Sequence, residues 1–505
     1  MPADRLGAVE SRAAEPAAAD ETASPAAGAA AVTAAVIGGG VSGLVAAREL
    51  ALAGMQVVLL EADDRLGGRV RSETIAGATI DIGAEAFATR GGGVAELLAE
   101  LGLGGEIVSP APLGSWVVAG SGAVPLPAAG TIGIPATPLS RDAVRALGRA
   151  GALRAAAEPL LPRAVGRGGS LADLVEARLG RRVLERLVRP VVLGVYSTDP
   201  ADMTIGSVAG LEAAFERRGS LVAAARDLRG SRTAAGGAVA GLRAGMGALI
   251  EALAAELDRL GVTVRTGTAV GALQSRADCE GWTVTEAEPG TAVDVDAVIL
   301  AVPETVARRL LHAPPSAPEG RVEVIALLVD DTRLDPAPRS TGVLVAADAA
   351  PRITAKALTH VTAKWPARAT ALDAGRHVLR LSYGRVGSAP ATEALSDEEA
   401  TRLAIRDASQ ILGVELRADS IRGMRRRAWI AGSSTTGADS PLPEPSGAAF
   451  AGDWVSGTGL ASVIPGARAA ARRIMEVALR DDRAMETGTP ETNRTASHHE
   501  GAQQR

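Results

Sequence analysis

The chain has 505 residues, 47% of them hydrophobic and 22% charged, a globular composition long enough for two or three domains. Its formal net charge of −5 gives no reason to expect nucleic-acid binding, and its single cysteine, Cys279, excludes an intrachain disulfide and a cysteine-rich metal site. No apolar run spans a membrane's thickness without a charge or proline, and the N-terminus lacks the pattern of a secretory signal, so a soluble cytoplasmic protein is expected, with peripheral membrane contact left open.

Residues 1–30, rich in Ala, Glu, Asp and Pro, read as a disordered tail. The run Val36-Ile37-Gly38-Gly39-Gly40-Val41-Ser42-Gly43 then reads as strand, glycine turn and helix, the helix continuing to about residue 53. A second strand, 57–60, ends at Glu61, 18 positions after Gly43. This is the opening of a dinucleotide-binding βαβ unit. Gly38 allows a tight turn, Gly40 leaves room for a pyrophosphate, and Gly43 lets the helix pack close to the sheet. Gly39 and Ser42 complete the turn, and the helix N-terminus offers free N–H groups to phosphate. Glu61 can accept both ribose hydroxyls and would repel a 2′-phosphate, which disfavours NADP. The next segment, Asp64-Arg65-Leu66-Gly67-Gly68-Arg69-Val70, is a glycine-glycine-arginine turn typical of flavoproteins. FAD is therefore the expected cofactor, with Ala62, Arg65, Gly68 and Arg69 among its contacts and Arg71 on the same side.

A short strand at 79–82 leads through a glycine turn to Arg90, and a helix follows at 93–101. Residues 107–138 hold short strand-like pieces, 115–118 among them. The segment 141–230 is rich in Ala, Leu and Arg with helical periodicity, broken at 166–169 and at Asp199-Pro200. A helix is expected around 246–253 and strands at 262–267, 282–284 and 297–302, the last buried on both faces. Val270 is counted with the cofactor contacts. Strands at 322–329, 342–346 and 378–382 and a helix at 397–412 come next. Lysine occurs only as Lys356 and Lys364 and arginine supplies the remaining positive charge, as base composition explains. The Arg425-Arg426-Arg427 run reads as a solvated face, and His312, His360 and His377 as isolated structural residues. Near the end, Ala448-Ala449-Phe450-Ala451-Gly452-Asp453 forms a small strand, followed by glycines and a helix to about 479. This suits a second cofactor contact through Gly452, Asp453, Gly459, Leu460 and Ala461, with Asp453 accepting a ribityl hydroxyl. Residues 482–505 read as a second disordered tail.

The two ends together resemble the FAD-dependent amine oxidase-like superfamily, and within it the bacterial protoporphyrinogen/coproporphyrinogen III oxidases. The finer resemblance rests on Asp81-Ile82-Gly83-Ala84-Glu85-Ala86-Phe87-Ala88-Thr89-Arg90, on Ile132-Gly133-Ile134-Pro135, on Val195-Tyr196-Ser197-Thr198-Asp199-Pro200 and on Ala363-Lys364-Trp365-Pro366. It implies an α/β plus α+β fold: a discontinuous Rossmann-like FAD-binding domain (31–106, 231–305 and 426–481), an inserted substrate domain (107–140 and 306–425) and a helical insertion (141–230). It further implies oxidation of a porphyrinogen in haem biosynthesis, by hydride transfer to flavin N5 with oxygen as acceptor and H2O2 released. Flavin N5 does the chemistry and no catalytic residue is needed from the chain. Arg90 is the candidate contact for a substrate carboxylate. The partners implied are the tetrapyrrole and molecular oxygen, with a haem-pathway enzyme left open. The family's Gly-Pro is Gly83-Ala84 here, and its Pro-Gln-Tyr and Gly-His segment is replaced by Arg425 to Gly432. Coproporphyrinogen III, the more polar substrate, is favoured over protoporphyrinogen IX. Three alternatives stand beside this reading: an amine oxidase, for which the chain is poor in aromatic residues, a carotenoid desaturase-like enzyme, and a non-catalytic flavoprotein.

Overall fold

Strand β1 (Thr33–Ile37) alternates its side chains between two cores, and this places it at the centre of the parallel sheet in the computed structural model. The structure describes residues 32–127, 130–229, 239–276, 281–288, 290–315, 320–350, 352–431, 442 and 444–487. Cys279, His498, His499, Gly432, the 1–30 tail and most of the C-terminal tail lie outside them. The sheet adds β2 (Gln56–Leu60), β3 (Thr263–Arg265), β4 (Ala297–Leu300) and β5 (Ala448–Phe450), in the order β3-β2-β1-β4-β5. All its pairings are parallel, with Ala34 beside Val57 on one side and Ala297 on the other.

Ala34 and Val36 face helices α1 (Val41–Leu52), α2 (Gly247–Arg259) and α3 (Leu460–Thr487). Ala35 and Ile37 face a small antiparallel sheet of Val270–Ser275, Trp282–Glu286 and Ala292–Val295. Leu44 and Leu50 of α1 are wholly buried between these layers. Each such side chain contributes roughly 1.5–3 kcal/mol, so packing rather than helix propensity holds α1 in place.

A seven-stranded, mostly antiparallel sheet stands apart from the parallel one. Its order is Ile421–Ala431, Gly320–Asp330, Arg376–Tyr383, Ala357–His360, Gly342–Val345, Trp116–Ala119, Gly122–Pro125. Helix Asp397–Leu412 covers one face, started by a Ser396/Glu399 capping box and stopped by Gly413 in the left-handed region. Residues 141–229 form helices around their own core, inside which Arg178 and Glu158 make a fully buried ion pair.

Several strands escape the sequence reading, among them Ser72–Ile75, Val270–Ser275, Ala292–Val295 and Ala357–His360, and two have a clear reason. Val239–Leu242 is short and glycine-flanked, and Ile421–Ala431 is an edge strand whose arginines mask its period of two. Helix α3 runs on to Thr487, beyond the expected end near 479 and into the span read as a tail, because Arg, Ala, Met and Glu all favour continued helix. Among the described residues no helix is long and apolar enough to cross a membrane.

Candidate functional site

A single cavity of about 1240 Å³ runs from the glycine turn after β1 to the antiparallel sheet. Single-ligand pockets are typically about 300–1,000 Å³, so this one has room for a dinucleotide and a second ligand. Its first end is walled by Gly38, Gly40, Ser42, Glu61, Gly68 and Asp453, and its other end by Tyr196, Lys356, Lys364, Arg380 and Trp429.

Gly38 turns out of β1 with φ +107°, and a Cβ there would lie 2.5 Å from the Ala301 carbonyl. A Cβ on Gly43 would lie 1.8 Å from the Gly38 carbonyl, so α1 touches the turn backbone to backbone. A Cβ on Gly40 would meet no protein atom within 4 Å, because that position opens on the cavity. Helix α1 begins there with no side-chain cap, leaving its first N–H groups for an anion. Glu61 accepts the Gly39 N–H at 2.5 Å and the Asp63 N–H at 2.7 Å. Its carboxylate thus braces the turn while keeping lone pairs toward the cavity.

Of the remaining expected cofactor contacts, Ala62, Arg69, Val270, Gly452, Gly459 and Leu460 line the cavity. Gly39, Gly43, Arg65 and Ala461 do not: Arg65 donates to the Ser72 carbonyl at 3.3 Å, and Ala461 packs on the core beneath. Arg71 is buried against Asp63 at 2.8 Å and supports the loop rather than the cavity wall. Asp453 Oδ2 is buried and accepts no hydrogen bond, although Arg69 Nη2 is 2.7 Å away. An uncapped helix start, an open glycine and a buried carboxylate oxygen met only by the Arg69 guanidinium are features that a dinucleotide with a hydroxylated chain would satisfy.

Arg90 is exposed and does not line the cavity; it donates to Ser462 at 3.0 Å beside Tyr196, which does. The cations on the wall itself were not anticipated. Lys364 and Arg380 both pair with Glu85. Burial pushes the Glu85 carboxyl up, but the Lys364 and Arg380 charges outweigh it and hold the group at about 2. Arg380 also donates to the Gly83 carbonyl, the position where the family's Gly-Pro departs to Gly83-Ala84. Lys356 donates to Ser197 at 2.9 Å, and burial, helped by the Arg380 charge, brings its ammonium down to about 8. The rarity of lysine in the chain was the available signal for Lys356 and Lys364. Glu85 lies in the Asp81–Arg90 run that carries the resemblance, and Arg380 carries no sequence signal.

Two readings are corrected. His360 and His377 are not isolated: Nε2 of the first lies 3.1 Å from Nδ1 of the second, in the buried core behind the sheet. The arginine run is not one solvated face, because an edge strand alternates its side chains. Arg426 turns inward to Glu323 at 2.6 Å, and Arg427 reaches Asp63 at 2.8 Å and stacks near Trp429. Trp429 donates to the Ile82 carbonyl at 3.2 Å and forms the wall in the segment that replaces Pro-Gln-Tyr.

The pattern of a flavin-containing amine oxidoreductase matches residues 41–475. A coproporphyrinogen III oxidase of Mycobacterium tuberculosis is 31% identical over 87% of this chain and 96% of its own length. One from Bacillus subtilis is 25% identical over 75% of this chain and 82% of its own. A solved structure from Exiguobacterium sp. 255-15, named as a protoporphyrinogen oxidase by assignment only, superposes with a TM-score of 0.74 at 23% identity. That likeness covers 90% of this chain and 100% of the other, and it establishes the shared fold.

Proposed function

The chain belongs to the flavin-containing amine oxidoreductase family, alongside bacterial coproporphyrinogen III oxidases, and from that premise we propose that it oxidises a porphyrinogen to the porphyrin in haem biosynthesis. Its cofactor is FAD. We take coproporphyrinogen III as the preferred substrate and molecular oxygen as the acceptor. We assign the FAD-binding part to 31–106, 231–305 and 426–481 and the substrate part to 107–140 and 306–425, except that residues 426–431 continue strand Ile421–Ala431 of the antiparallel sheet and go with the substrate part.

One observation carries the reading: the cavity end beyond the glycine turn combines apolar sheet residues with Lys356, Lys364 and Arg380. That chemistry suits a large apolar ring bearing carboxylates. Gly38, Gly40, Ser42 and the start of α1 would hold the pyrophosphate, Glu61 the ribose hydroxyls, and Asp453 a hydroxyl of the ribityl chain. When bound, FAD supplies a two-electron acceptor for carbon-bound hydrogen, regenerated by oxygen with release of H2O2. The chain's own work is positional. Val324, Leu358 and Trp429 on the sheet side exclude water from the ring, and the cations orient its carboxylates. An amine substrate fits poorly, since its ammonium would face the lysines and Arg380 across a wall whose aromatic residues are Tyr196, Trp429 and Trp454.

The test is aerobic turnover by the purified flavoprotein of coproporphyrinogen III and protoporphyrinogen IX, followed by porphyrin fluorescence and peroxide release. Faster porphyrin formation from coproporphyrinogen III is expected. A flavin spectrum without turnover of either substrate would overturn the reading.

A further inference from the structure

Arginine supplies nearly all the basic side chains of this chain, yet both of its lysines, Lys356 and Lys364, line the same cavity. A guanidinium serves as well as an ammonium on most surfaces. It carries the same charge on a larger, planar head, so a site shaped for a compact ammonium with rotatable donors accepts it less tightly while still offering the charge. Lys364 is already committed to Glu85. Lys356 is not: among the described residues no carboxylate pairs with it, and its partner is the Ser197 hydroxyl at 2.9 Å.

The surroundings hold this ammonium in place. The Lys356 N–H donates to the Ser382 carbonyl at 2.9 Å, and its own carbonyl accepts from Val345 at 3.0 Å. Ser197 ends helix Arg189–Tyr196 in the left-handed region, with φ +57°, and its carbonyl accepts from Val386 at 2.8 Å. The Ser197 hydroxyl accepts from Lys356 and keeps its own proton to donate. Arg380 is close enough to depress the Lys356 ammonium but is itself engaged by Glu85 and Gly83. A half-buried cation beside another cation, next to a hydroxyl with a free proton, is a place that an anion would stabilise.

We propose that Lys356 and Ser197 form a subsite for one carboxylate arm of the substrate, the ammonium and the hydroxyl each donating to it. This rests on the porphyrinogen reading, which supplies a ligand with carboxylate arms. It names the residue pair that would distinguish a tetra-acid from an ester or from a ring with fewer acids.

The experiment is titration of the FAD-loaded protein with coproporphyrin III and, separately, with its tetramethyl ester. The wild type is expected to prefer the acid. Lys356→Met should weaken acid binding by about 10- to 100-fold, the range for losing a hydrogen bond to a charged group, and leave ester binding unchanged. Lys356→Arg, which keeps the charge, should keep the preference for the acid. Equal loss for acid and ester in Lys356→Met would mean a packing role and overturn the subsite, as would no loss at all. Loss of the acid preference in Lys356→Arg as complete as in Lys356→Met would overturn the charge-based account. If the wild type binds neither porphyrin, the porphyrinogen reading fails and the subsite with it. If it binds both and Lys356→Met is unaffected, only the subsite fails.

Discussion

Arg69 Nη2 lies 2.7 Å from Asp453 Oδ2, tying the glycine-glycine-arginine turn after β2 to the residue that follows β5 at the far end of the chain. The two partners are unequal. Arg69 is about half exposed, and its ion pair is worth roughly 0–1 kcal/mol. Asp453 is buried, and among the described residues only the Arg69 guanidinium approaches its Oδ2. Asp453→Ala should therefore lower FAD affinity by about 10- to 100-fold, while Arg69→Met changes it less than tenfold. Fluorescence titration of deflavinated protein with FAD measures both, and equal losses would contradict the asymmetry.

Gly40 and Gly43 separate folding from cofactor binding. A Cβ on Gly40 meets nothing within 4 Å, and φ there is −71°, so Gly40→Ala should fold with a Tm close to the wild type in the flavin-free state. It should nevertheless retain little FAD, because the methyl group projects into the space a pyrophosphate needs. Gly43→Ala puts a methyl group against the Gly38 carbonyl and should destabilise the protein itself by about 1–3 kcal/mol. Thermal melts with and without FAD distinguish the two. A flavin-free Gly40→Ala protein that melts as low as Gly43→Ala would refute this division.

The cofactor end was legible because its chemistry is local. Gly38, Gly40 and Gly43 lie within six consecutive residues; Gly38 and Gly43 are required by backbone geometry and Gly40 by the room a pyrophosphate needs, and together they leave a sequence signature. The substrate end was not. Glu85 meets Lys364 and Arg380 only after strands far apart in sequence have paired, so no spacing announces the cluster. Ile421–Ala431 was missed for a related reason. As an edge strand it mixes exposed with half-buried residues, and arginines satisfied by Glu323 and Asp63 look no different in sequence from arginines in water. Arg90 was placed by motif alone, and the fold turns it to Ser462 at the surface.

Glu85 neutralises two cations at once. Glu85→Leu leaves Lys364 and Arg380 without their carboxylate and should cost about 3–5 kcal/mol in denaturant unfolding. The wild-type carboxyl is held at about 2, below its ordinary 4.5, with Lys364 and Arg380 overcoming the effect of burial. Its contribution is thus fully present above about pH 4.5 and is lost as pH falls through about 2. A Glu85→Leu protein as stable as the wild type at neutral pH would show that the pair contributes nothing net.

His360 sets an acid limit of a different sign of charge. It is buried, its Nδ1 has no partner, and burial followed by the neighbouring His377 brings it down to about 3 from the ordinary 6.5. Above about pH 6.5 the ring is neutral in both folded and unfolded chains and contributes no pH dependence. As pH falls from 6.5 toward 3 the unfolded chain takes up a proton that the folded one refuses, so stability falls by about 1.4 kcal/mol per unit. At pH 5 the loss is about 2 kcal/mol. His360→Leu removes the titrating group and should flatten this slope, even though it forfeits the bond to His377 at every pH. The measurement is the urea midpoint of both proteins at pH 7.5 and pH 5. The two midpoints should differ less in the variant, and an unchanged difference would assign the acid sensitivity to other groups.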